Sequence, residues 1–193
     1  MCKFALILPG ATDYDLQGRI QGTLDVPLNE RGCEQVDRLV EALRGLEISV
    51  VYAAPCARSQ QTAERLAVAL DVKTVVLDQF DNLNQGLWQG MLVDEVKRKQ
   101  PKVYRQWQEQ PEAICPPQGE TLEDARERVR PALQKILKKN KQNVVGVVVP
   151  EPLASIVRSE LVGAQLGDLW KACSESGRWE LLDPAAHALT NGH

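Results

Sequence analysis

Residues 144–149 read VVGVVV, and that run limits the fold more than any other stretch of the chain. A strand with one wet face alternates apolar and polar side chains. This run does not alternate, so both of its faces must be covered, as at the centre of a parallel sheet with helices on either side. The rest of the pattern agrees. An apolar run at 4–8 halts at Pro9-Gly10, residues 48–53 (ISVVYA) and 72–77 give two more buried strands, and 179–182 has the composition of a late one. Helices are expected at 29–44, with Cys33, Val36, Val40 and Leu43 on one face, and at 58–70, 121–139 and from Pro152 to about 162. Asn29 caps the first, Gly45 stops it, and Thr121 with Asp124 stands near capping-box spacing. Pro131 should kink the helix that holds it.

The expected architecture is an α/β fold, a three-layer α/β/α sandwich on a mostly parallel sheet, forming a single domain over residues 1–193. Residues 78–118 break the alternation. They are rich in Gln, Asn and Pro, carry Trp88, Tyr104 and Trp107, and should leave the sheet as short helices near 91–99 and 102–109 that cover the strand ends. The polar tail, 183–193, is expected to fray. Ligands of open α/β sheets bind beyond the C-terminal ends of the strands. The chemistry is therefore sought in the polar loop at 9–28 and around Pro55 and Pro150.

Composition works by exclusion. An apolar share of 44% and a charged share of 25% are ordinary, and a net charge of −3 gives no electrostatic case for nucleic acid or a membrane surface. No apolar segment approaches bilayer length, and MCKFALILPG is too short and too lightly charged for a secretion signal, so a cytoplasmic location is expected. The five cysteines, Cys2, Cys33, Cys56, Cys115 and Cys173, lack CxxC spacing and read as free thiols, with no disulfide framework and no metal site. No motif points to an organic cofactor. The two histidines, His187 and His193, both fall in the last seven residues.

Five blocks, ILPGATDYDLQGRIQGTLDVPLNERG, VVYAAPCARSQQTAERLA, GLWQG, PPQGETLEDARERV and VVVPEPLASIV, resemble the histidine phosphatase superfamily, the phosphoglycerate mutase-like proteins, in family order over roughly residues 3–166. The resemblance implies a nucleophilic histidine in an Arg-His-Gly motif after the first strand, a second histidine after a later strand, two phosphate-binding arginines and a glutamate general acid. A nucleophile splits one hard step into two, and cations stabilise charge developing in the transition state.

Laid on that pattern, the chain departs at nearly every chemical position. Leu8-Pro9-Gly10 stands for Arg-His-Gly, Asn82 for the general acid and Pro150 for the second histidine, so no catalytic set is intact. Asp15 stands where the loop usually has asparagine, and Glu151 follows Pro150. Arg58 alone survives of the charged set, and it is expected to pair with Asp15, Glu151 or both, leaving the pocket closed to phosphate or weak for it. Arg19, Gln21 and Gly22 match the substrate-side loop and remain ligand-binding candidates with Arg58, Asp15 and Glu151. Cys56, beside Arg58, reads as a buried residue at a helix start. The expected function is that of a catalytically inactive pseudoenzyme with a binding or scaffolding role. Its partner would be a small molecule or a protein, a homodimer included. The alternatives are a phosphomonoesterase or phosphoglycerate mutase-like enzyme, or a lyase or hydrolase using Asp15 or Glu151 as base.

Overall fold

The computed structural model describes residues 2–184. The elements run β1 (Lys3–Ile7), α1 (Asp13–Gln17), α2 (Glu30–Leu43), β2 (Ile48–Ala53), α3 (Ala57–Leu70) and β3 (Lys73–Val76). They continue as α4 (Val93–Lys99), α5 (Pro101–Glu109), α6 (Leu122–Lys139), β4 (Val144–Val148), α7 (Leu153–Val162), α8 (Leu169–Ala172) and β5 (Trp179–Leu182). The strand order is β3-β2-β4-β1-β5. β4 lies in the middle, parallel to β1 and β2; β3 runs parallel to β2, and β5 closes the far edge antiparallel to β1.

The period of two along each strand sorts side chains into two cores. Phe4, Leu6 and Leu8 join Val145, Val147 and Val149 in one, packed on Leu122, Val129 and Leu133 of α6 and Ile156 and Val157 of α7. Ala5, Ile7 and Val148 face the other way, onto Leu39, Leu43, Ala63 and Leu66 of α2 and α3. Both faces are dry, which is why the VVGVVV run does not alternate.

Local signals set the helix starts. Asn29 Oδ1 accepts from Gly32 N at 2.8 Å. Thr121 and Asp124 make a reciprocal capping box. α6 is assigned as one helix through Pro131, which is exposed. Cys33, expected on the inward face of α2, is half-buried, and Leu39 takes the buried place. Two short helices escaped the sequence reading: α1, inside the presumed loop, and α8. Of the tail expected to fray, residues 185–193, with His187 and His193, lie outside the described residues.

Candidate functional site

The C-terminal ends of β1 and β4 lie side by side, with Ile7 paired to Val148 and Val149 N donating to Ile7 O at 3.1 Å. Pro9 and Pro150 each follow two residues beyond that pair and are buried. The turn after Pro9 has its own partners. Gly10 N donates to Thr62 Oγ1 (3.2 Å), Ala11 N to Gln35 Oε1 (2.8 Å) and Thr12 N to Asp15 Oδ2 (2.6 Å). Three consecutive amides that could have faced an oxyanion are thereby taken. The last bond belongs to the capping box of α1, in which Thr12 and Asp15 satisfy each other.

Arg58, in the first turn of α3, points its charge at Asp15. Its Nη1 lies 3.4 Å from both carboxylate oxygens, with the two side chains 6% and 12% exposed. Glu151 does not join this pair. It accepts from Ser155 N at 3.0 Å and faces Arg158 at 3.9 Å, with 3% of its side chain exposed. Burial pushes the Glu151 carboxyl up from its usual range, against the pull of Ser155 and Arg158. Burial, reinforced by the charge of Glu151, also pushes the Cys173 thiol up, so it stays protonated at neutral pH.

Asn82 is used as a clamp. Its Nδ2 donates to the carbonyls of Gly22 and Glu151, both at 3.0 Å, and its Oδ1 accepts from Leu153 N at 3.4 Å. It therefore ties the substrate-side loop to the turn that opens α7. A side chain at Gly22 would be strained, because its φ is +54° and a Cβ would stand 2.2 Å from Gln89 Oε1, forcing that side chain to move. Gln21 is buried and bonds within the loop, accepting from Thr12 Oγ1 and donating to Leu24 O. Arg19 donates to Gln17 Oε1 and Gly90 O, both at 2.7 Å.

All six expected ligand-binding residues, Asp15, Arg19, Gln21, Gly22, Arg58 and Glu151, line one cavity of about 60 Å³. Leu8, Pro9, Asn82 and Pro150 are buried but do not line it. Gly18 and Ile20 of the same loop complete their side of the wall, and the remainder went unread in the sequence: Gln85 and Val93 from the excursion, and Trp170, Cys173 and Ser174 from α8 and the residues after it. These last residues roof the strand ends. Trp170 stacks on Tyr104 at 5.2 Å, meets Trp88 at 5.7 Å and Trp107 at 6.0 Å, and donates its indole N–H to Tyr104 O. Farther on, Gly177 N donates to Pro9 O and Leu8 N to Arg178 O, both at 2.8 Å. Clustered tryptophans were the available signal, but nothing in the sequence showed that the one at 170 returns to meet those at 88 and 107.

The described cysteines are free thiols, and no group of three metal-ligating side chains occurs among the described residues. No helix among them is long and apolar enough to cross a membrane.

Residues 6–188 match the family model described as Histidine phosphatase superfamily (branch 1). The chain belongs to the histidine phosphatase superfamily. Within that superfamily it is 29% identical over 182 residues to phosphoserine phosphatase 1 of Hydrogenobacter thermophilus, covering 94% of this chain and 86% of that one. It is 32% identical over 136 residues to the bifunctional protein Rv2228c of Mycobacterium tuberculosis, covering 70% of this chain but 37% of that protein. In three dimensions it resembles a mycobacterial glucosyl-3-phosphoglycerate phosphatase solved with VO3, at a TM-score of 0.82 and 21% identity over 94% of this chain and 90% of the other. That last likeness speaks for the histidine phosphatase fold alone.

Proposed function

We propose that this histidine phosphatase-family chain performs no phosphohistidine chemistry and serves as a binding or scaffolding protein. Its partner is a small molecule at the strand ends or a protein, a second copy included, and free thiols suit a reducing cytoplasm. The observation that carries the reading is the adjacent pair Pro9 and Pro150, at the two positions where the family resemblance puts its histidines. Neither side chain can attack phosphorus or move a proton. The surroundings support it. Asn82, where the general acid is expected, is spent on two carbonyls and an amide. Arg58 already faces Asp15, and the cavity of about 60 Å³, well below the roughly 300 Å³ of an ordinary ligand pocket, is small for a phosphate ester with its leaving group.

A second reading, a phosphomonoesterase or phosphoglycerate mutase-like enzyme, draws on the likeness to a phosphoserine phosphatase. One experiment separates the two. The purified chain is exposed to a radiolabelled phosphoryl donor and to phosphoserine, then assayed for acid-labile protein-bound label and for released phosphate. Neither is expected. Label or turnover that disappears in Arg58→Ala would establish the enzyme instead.

A further inference from the structure

The strand-end cavity has unspent hydrogen-bonding capacity of both signs. Arg58 Nε and Gln85 Nε2 are buried donors without a partner, on residues that are 5% and 1% exposed and both line the cavity. Buried donors of this kind are uncommon, because each has lost its water and gained nothing. Arg58 meets Asp15 through Nη1, so Nε is left over. Acceptors stand nearby. Asp15 Oδ1 receives only the long 3.4 Å contact from Arg58, and Glu151 Oε1 lies 3.9 Å from Arg158, beyond hydrogen-bond reach.

Charge and size choose the occupant. Arg19 and Arg58 line the cavity with Asp15 and Glu151, and Arg158, beside Glu151, also pairs with Glu180, so the set offers no net positive charge. An anion would arrive uncompensated, and a phosphate dianion doubly so. About 60 Å³ is roughly a fifth of the ~300 Å³ at which ligand pockets begin, which leaves room for one solute of a few heavy atoms. We infer that this cavity is a binding site for a small uncharged amide group, whose carbonyl oxygen accepts from Arg58 Nε and Gln85 Nε2 and whose N–H groups donate to Asp15 and Glu151. The inference rests on the non-catalytic reading of the same strand ends and specifies what they hold.

The test is a titration of the full-length, isotope-labelled protein with acetamide, followed by NMR at the Gln85 side-chain amide and the Arg58 Nε–H. Sodium acetate and inorganic phosphate at matched ionic strength serve as comparisons. Acetamide should move both signals saturably, and the two anions should not. Gln85→Met, which keeps length and loses the donor, should weaken acetamide about tenfold, read at Arg58 Nε. Gln85→Glu should do the same by turning a donor into an acceptor. Signals unmoved by acetamide would mean a cavity holding water only, which overturns the inference and leaves the non-catalytic reading standing. Signals moved by acetate or phosphate in preference would overturn the inference too. Protein-bound label from the phosphoryl donor would overturn the reading beneath it.

Discussion

On the non-catalytic reading, Asn82 is a position given over to structure. Three buried backbone groups depend on its carboxamide, and its removal strands all of them. Asn82→Ala should therefore lower the free energy of unfolding by about 2–4 kcal/mol, read from urea denaturation. Asn82→Glu should cost at least as much, because a carboxylate would face the carbonyls of Gly22 and Glu151 with nothing to donate. Glu151 carries the opposite signature. Burial raises its carboxyl above the ordinary glutamate range, so the folded state binds its proton more tightly than the unfolded one does. Stability from this group is then fullest below pH 4.5 and falls as pH climbs through the folded value. Glu151→Gln should raise the denaturation midpoint at pH 8, and that gain should vanish toward pH 4. A gain that is equal at both pH values would show that ionisation of Glu151 is not the source.

At the scale of elements, the roof is the part that folding had to reveal. The four parallel strands and the long helices followed from apolar period, caps and proline stops, because those signals are local. The excursion and its two helices were legible from composition and Pro101. α1 was not, since five residues carry too little periodicity, although Thr12 and Asp15 held its cap signal. α8 was not, although Asp168 held its cap signal, because 4 residues carry too little periodicity and the rings that meet Trp170, those of Trp88, Tyr104 and Trp107, lie far away in sequence. The six binding candidates came from resemblance, and the structure gathers them into one cavity, whereas Gln85 and Cys173 carried no local mark. If the roof rests on those rings, Trp170→Ala should cost about 3–5 kcal/mol in unfolding free energy. It should also leave the Cys173 thiol more reactive toward a small alkylating reagent. A thiol as slow as that of the intact protein would place the closure elsewhere.

For the whole molecule, the proposed reading separates scaffold from site. On the proposed non-catalytic reading, the sheet and its two cores form without the two histidines and the general acid, while Arg58 is kept beside Asp15. The reverse journey is harder. Leu8 is 4% exposed in the larger core, so Leu8→Arg would bury a charge among apolar side chains. We expect Leu8→Arg, Pro9→His, Asn82→Glu and Pro150→His together to yield a less stable protein that gains no phosphatase activity. Asp15 would still face Arg58, and the amides of residues 10–12 would still be taken. Hydrolysis of phosphoserine by that variant would show that those bonds yield to substrate. The late return of the chain has a consequence of its own. One short stretch, residues 169–182, supplies both the antiparallel border of the sheet and the cover over the strand ends. Fraying at that border and unveiling of the interior hollow are consequently a single event, so whatever steadies β5 also governs how often the hollow is open to visitors.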